Sequence, residues 1–251
     1  MQSYLCPRLI SGAFSCRGPH EAGRLRGVIL KKSPDIYLSG LNFFIFSVIF
    51  MKNKKYLLSL TLCGIMSAIS VVLQLPFFEI SLPFLIPPFI KLDFSDLPAL
   101  LTAFTAGPLW GGLVAVIKNA VHLAFGSTGG IGELANGLMG VAFVVPAGII
   151  YKYRHTKPGA LIGGSVGALA GAVASFPVNM LITYPFYIGV FFGGNVDGLL
   201  DTYNQIFGTA FGLVEVLLYF NLPFTFAKYM LCVLIALLIY KPLSPIFKKF
   251  K

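Results

Sequence analysis

Lys91-Leu92-Asp93-Phe94-Ser95-Asp96-Leu97-Pro98, continuing into Ala99-Leu100-Leu101, sets two carboxylates, a lysine and a serine between long apolar runs. The run before it, FFEISLPFLIPPFI from Phe77 to Ile90, is preceded by Pro76 and interrupted by Pro83, Pro87 and Pro88. It cannot be one helix, because each proline removes a backbone donor and crowds the preceding turn. The run after it, DLPALLTAF, reads as a helix start, with Asp96 as N-cap and Pro98 in the first turn. A proline-stiffened, partly wet loop thus feeds an apolar helix, and such a loop can cover a site.

Outward from this loop the chain is overwhelmingly apolar. Hydrophobic residues make up 57% and charged residues 11%, and the mean hydropathy is +0.83, values of an integral membrane protein. The expected fold class is all-α, a six-transmembrane-helix bundle, since each span needs roughly 20 apolar residues. The net charge of +10 does not call for nucleic acid, because basic residues facing the cytoplasmic side of a membrane give the same balance. Cys6, Cys16, Cys63 and Cys232 lack paired ligand spacing, so neither a zinc site nor a disulfide framework is expected.

Residues 1–50 read differently: basic, with scattered Gly, Ser and Pro, and an apolar run LNFFIFSVIF too short for a span. Met51-Lys52-Asn53-Lys54-Lys55 then looks like an ordinary start for a membrane protein. The expectation is that 1–50 is upstream or disordered leader and that 51–251 is the membrane domain; residues before Met51 in the intact mass of the native protein would contradict an upstream origin. Spans are expected over Tyr56–Leu75, Leu97–Phe104, Leu109–Phe125, Ile131–Tyr151, Ala160–Ile182 and Pro223–Tyr240. Gly107-Pro108 is a tight turn, and Pro185 to about Tyr219 a long loop holding an amphipathic helix. With six spans, the termini, the Gly107 turn and the connector after Tyr151 share one side. That side holds Lys52, Lys54, Lys55, Lys152, Arg154, Lys157, Lys241, Lys248, Lys249 and Lys251, while every acid after Met51 lies on or toward the other. Both termini are therefore expected to be cytoplasmic and the KLDFSDLP loop external.

Gly130-Ile131-Gly132-Glu133-Leu134-Ala135 matches a dinucleotide fingerprint as a string, but a membrane helix rather than a strand precedes it. No phosphate-binding P-loop is present. His20, His122 and His155 are isolated and read as surface or interface residues, so no catalytic or metal site is expected. What remains is a set of polar residues sent to the outer half of the bundle. Glu133 and Asn136 are one helical turn apart, Asn179 follows Pro177 inside the fifth span, and Thr225 and Lys228 are one turn apart near the start of the last. Intramembrane ionisable groups are functional candidates by default; against that, Lys228 could pair with Glu133 or Asp93 only to hold helices together. Small-x-x-x-small spacing occurs at Gly64 and Ala68 and at Gly163, Gly167 and Gly171. Internal packing is the better reading for the fifth span, and for the first both packing and docking stay open.

SLPFLIPPFIKLDFSDLPALL, GPLWGGLVAVIKNAVHL, GGIGELANGLMGVAFVVPAGIIY, PVNMLITYPFY and NLPFTFAKYM together resemble the riboflavin-specific substrate-binding (S) component of energy-coupling-factor vitamin transporters. The resemblance covers Met51 to Lys251. It implies a six-helix protein of the cell membrane that binds riboflavin from outside under the first loop. It also implies delivery only in complex with a transmembrane coupling subunit and two ATPase subunits. The implied ligand contacts are Leu92, Asp93, Phe94, Glu133, Asn136, Asn179, Thr225 and Lys228, with Gly64 and Ala68 docking on the coupling subunit. Thr225 departs from relatives, which tend to carry asparagine there. No cofactor, metal or nucleic acid is implied, riboflavin being transported cargo. Binding is expected to depend little on salt or on pH near neutrality, because the ligand is uncharged and no histidine is assigned to the site. An S component for another vitamin or flavin, and a membrane scaffold without transport, are the alternatives.

Overall fold

The first helix is inside out compared with a helix of a water-soluble protein. Helix α1 (Lys54–Leu73) buries Ser59, Cys63, Ser67 and Ser70 and exposes Leu57, Leu60, Ile65, Ile69 and Val72. Small polar side chains let backbones approach inside a bundle, and large aliphatic ones suit lipid. The structure, a computed structural model, describes residues 54–81, 91–126, 129–208 and 210–249. The expected leader 1–50, the start at Met51 and the prolines at 83, 87 and 88 lie outside the described residues.

After α1 the chain returns through a narrow neck. Ile80 and Leu92 form an antiparallel bridge, with Ile80 N–H donating to Leu92 O at 2.8 Å and Leu92 N–H to Ile80 O at 3.0 Å. Beside it Lys91 Nζ meets Glu79 Oε2 at 2.5 Å. Helix α2 (Asp96–Thr105) follows, and its stretch Pro98–Phe104 is buried throughout. Gly107, at φ 113°, turns the chain into α3 (Pro108–His122), whose first residue is proline. Gly111 on α3 faces α2 so closely that an added Cβ would lie 2.5 Å from that of Ala103.

Helices α4 (Ile131–Tyr153) and α5 (Lys157–Val178) form the most extensive contact of the bundle, and glycines are the reason. A Cβ at Gly163 would fall 2.8 Å from the Ala147 carbonyl, and one at Gly171 3.0 Å from the Phe143 Cβ on α4 and 2.6 Å from the Tyr229 ring on the last helix. The small-residue stripe of the fifth span is therefore internal packing. On α1, in contrast, Gly64 and Ala68 are exposed, and nothing lies within 4 Å of a Cβ added at Gly64.

Two helices do not stop where proline rules suggest. Beyond α5 a π-helical turn, Asn179–Thr183, leads into α6 (Tyr184–Phe191), so the helix expected to end at Ile182 runs on through Pro185. The last helix starts earlier than Pro223: α8 (Leu213–Val216) passes through a second π turn, Leu217–Asn221, into α9 (Leu222–Lys249). Each π turn closes at the residue preceding a proline, with Tyr184 N–H reaching Asn179 O and Leu222 N–H reaching Leu217 O. Tyr184 and Leu222 keep helical dihedrals, but the proline after each has no N–H to continue the α ladder, and the helix widens for one turn there without breaking. Between them α7 (Val196–Phe207) is the expected amphipathic helix. Leu199 and Tyr203 are buried, and Asp197 and Asp201 face out.

Among the described residues four helical stretches are long and apolar enough to cross a membrane: Lys54–Leu73, Ile131–Tyr153, Lys157–Phe191 and Leu213–Ile239. Helices α2 and α3 stand where the second and third spans were expected, but they have 10 and 15 residues. At 1.5 Å per residue they reach about 15 and 22 Å, short of the roughly 30 Å hydrocarbon core. The main core forms where α2, α3, α4, α5 and α9 meet, around Leu100, Val114, Phe143, Val144, Ala168 and Val233.

Candidate functional site

One cavity of about 660 Å³ opens between the ends of these helices. Its wall is built from the C-terminal ends of α1 and α3, the loop at Asp93, the N-terminal end of α4, both π turns and the first turns of α9. Asp93, Glu133, Asn136, Asn179, Thr225 and Lys228 all line it. Residues more than a hundred positions apart thus share one chamber. Leu92 and Phe94 do not: Leu92 is buried in the neck, and Phe94 packs against the main core.

Asp93 is not the partly wet loop residue that the sequence suggests. It is 3% exposed. Its Oδ1 accepts from Ser95 N–H at 2.9 Å and from the Ser95 hydroxyl, and its Oδ2 accepts from Lys228 Nζ at 2.7 Å. Burial alone would raise the pKa of this carboxyl, but the ammonium groups of Lys228 and Lys118 outweigh it and hold the pKa well below the usual range. The pairing with Lys228 weighed at the sequence level thus exists, inside the cavity wall.

A second buried pair lies directly behind. Lys118 Nζ donates to Asp96 Oδ1 and to Ser95 Oγ, each at 2.6 Å. Asp96 therefore does not cap α2 as expected. Ser95 holds the N-cap position without a capping bond from its side chain, because the Asp96 carboxylate turns inward to neutralise a lysine buried on α3. Ser70 Oγ also donates to Ser95 O at 2.8 Å, tying α1 to the same loop.

The π turns supply the amides. Asn179 opens the first, and Asn221, unassigned at the sequence level, ends the second; both line the cavity. Asn221 Nδ2 donates to Tyr184 OH at 2.5 Å, and Tyr184 OH lies 2.6 Å from Tyr203 OH. Thr225 Oγ1 donates to Asn221 O at 2.8 Å, so its proton serves the helix and only its lone pairs are left for a ligand. An extra residue in each helix shifts the facing of these side chains, which periodicity in the sequence cannot reveal.

His122 overturns a further expectation. It is neither surface nor isolated: it lines the cavity, and its Nδ1 lies 3.2 Å from Glu133 Oε1. Gly126 is what permits this carboxylate position, since any side chain there would overlap Glu133. Among the described residues no cluster of ligating side chains could hold a metal ion.

Comparison with known proteins places this architecture. The family model for the substrate-specific component of ECF transporters matches residues 58–240. Riboflavin transporter RibU of Staphylococcus aureus (strain TCH60) is 29% identical over 199 residues, covering 79% of this chain and 95% of that protein. Riboflavin transporter FmnP of Bacillus subtilis (strain 168) is 31% identical over 141 residues, 55% of this chain and 70% of that protein. A solved structure described as the S component of a bacterial ECF transporter aligns with a TM-score of 0.58 at 27% identity, covering 76% of this chain and 97% of that one. The chain belongs to the substrate-specific components of ECF transporters, multi-pass proteins of the cell membrane that carry a substrate and are not enzymes.

Proposed function

We propose that the cavity binds riboflavin from the outer side of the membrane and that the chain mediates its uptake as part of an ATP-driven transporter. The observation that carries this reading is the convergence of Asp93, Glu133, Asn136, Asn179, Thr225 and Lys228 on one chamber whose wall also holds a set of aromatic side chains. A flat tricyclic ring suits the apolar wall, which includes Tyr187, Phe191 and Phe224. Its uracil-like edge both donates and accepts hydrogen bonds, which an amide such as Asn179 can match and to which Lys228 can donate. A largely apolar pocket with few polar anchors is the usual form of a small-molecule site. That two relatives are named riboflavin transporters supports the same substrate.

In this reading the helices form a six-span topology with both termini cytoplasmic, and α2 and α3 cross as a short pair sheltered by their neighbours. The cavity-lining helix ends all fall on the side opposite Lys152, Arg154 and Lys157, as the positive-inside rule requires. A transmembrane coupling subunit and two ATPase subunits complete the transporter, and the exposed Gly64–Ala68 face of α1 is where the coupling subunit docks. The test is mass spectrometry of ligand co-purified with the chain from cells supplied with several vitamins. Riboflavin should be recovered in near-stoichiometric amount, and recovery of a different vitamin would reassign the substrate. Joint purification with the ATPase pair should accompany it, and a chain that never associates with ATPases would favour a scaffold role.

A further inference from the structure

Among the described residues three buried polar atoms of the cavity wall have no partner: Thr183 Oγ1 on the first π turn and, together at another part of the wall, Gln74 Oε1 and His122 Nε2. Gln74 is 2% and His122 9% exposed, so neither group is solvated by bulk water, and an unmade hydrogen bond at such depth is costly. Their hydrogen-bonding character follows from their neighbours. Asn119 Nδ2 donates to the helical carbonyl of Ala115 at 2.8 Å, which turns Asn119 Oδ1 toward Gln74. Gln74 must then present its NH₂ to that oxygen, as it does at 3.1 Å, leaving Oε1 as an acceptor. For His122, Nδ1 faces the Glu133 carboxylate at 3.2 Å, and in the tautomer that donates its Nδ1–H there, Nε2 offers a lone pair. Asn119 and His122 stand one turn apart on α3, so the Gln74 and His122 groups belong to one end of the chamber. Glu133 beside them adds a carboxylate, which also only accepts.

We propose that Gln74 and His122, with Glu133, form an acceptor-only sub-site that takes a chain of hydroxyl groups from the ligand. The proposal rests on the riboflavin reading, in which that chain is the polyol attached to the ring. Hydroxyls donate and can rotate to meet these acceptors, whereas a group lacking donors would leave Gln74 Oε1 and His122 Nε2 unpaired. The ring edge then falls to the amide and lysine side of the cavity, at Asn179, Asn221 and Lys228.

The experiment compares two flavins on the full chain in detergent: riboflavin, and lumiflavin, which has the same ring with a methyl group in place of the polyol. Each is titrated against the parent protein, Gln74→Leu, His122→Phe and Asn179→Ala. The sub-site predicts that Gln74→Leu and His122→Phe each weaken riboflavin about three- to tenfold, the worth of one hydrogen bond, and leave lumiflavin unchanged. Asn179→Ala should weaken both. Equal losses for the two flavins, or no loss for riboflavin, would make Gln74 and His122 structural residues and overturn the proposal. Should the variants fail to fold, the parent protein decides: lumiflavin binding as tightly as riboflavin overturns it, and a clear preference for riboflavin supports it. A parent that binds neither flavin removes the riboflavin reading itself, a different outcome from loss of the sub-site alone.

Discussion

Replacing Lys228 by alanine removes the proposed ligand donor and also strands the Asp93 carboxylate, which lies 2.7 Å away in a buried setting. Taking one partner from a buried ion pair costs about 3–5 kcal/mol, so Lys228→Ala should lower both affinity and melting temperature. The two effects separate in the double variant Asp93→Asn/Lys228→Met, which removes both charges of this pair and strands neither. We expect it to melt close to the parent while binding riboflavin about 10-fold or more weakly, measured by thermal unfolding and fluorescence quenching. Parent-like affinity in the double variant would reduce the pair to a structural tie. The pH dependence has a defined sign. A carboxyl whose folded pKa is depressed stabilises the protein above its unfolded value, about 3.9, and loses that contribution as pH falls toward the folded one. The Asp93 tie should hold across neutral and mildly acidic pH and weaken only in strong acid. A thermal midpoint that already falls between about pH 7 and pH 5 in the parent but not in the double variant would contradict this.

At the scale of the elements, glycine has two opposite roles. Gly167 sits where a Cβ would lie 2.8 Å from that of Ala147, so Gly167→Leu should force α4 and α5 apart and cost several kcal/mol, as overpacking or worse. Gly64→Leu meets open space and should leave folding and riboflavin binding intact while abolishing uptake, read by transport assay in cells with the whole complex. Loss of binding in Gly64→Leu would place that face in internal packing. The α5 stripe was legible because three glycines at four-residue spacing leave few alternatives. The π turns were not. Pro185 and Pro223 read as breaks, and only the folded chain reveals that a wider turn carries each helix past its proline. Asn221 was missed for the same reason, and Gln74, His122 and the true role of Asp96 were missed because their partners are remote in sequence.

For the whole molecule, the membrane class, the helix order and six of the polar residues of the cavity wall could be read from hydropathy, charge and the quoted motifs. The bounds expected for α2 and α3 lie close to those observed, but that neither is long enough to cross alone was not read, since burial within a bundle and burial in lipid look alike in composition. The sidedness is testable with an impermeant thiol reagent in a background where Cys6 and Cys16 are serine, Cys63 and Cys232 being buried. Asp197→Cys should react from outside intact cells and Arg154→Cys only after lysis; the reverse pattern would invert the topology. The most direct test of the account is titration of the purified full chain with riboflavin, followed by quenching of flavin fluorescence. The account predicts saturable binding to one site per chain, little changed by salt because the ligand is uncharged, and weakened by Asn179→Ala. Absence of quenching at any attainable concentration, or binding untouched by Asn179→Ala and by the Asp93→Asn/Lys228→Met variant, would mean that this cavity is not a riboflavin site.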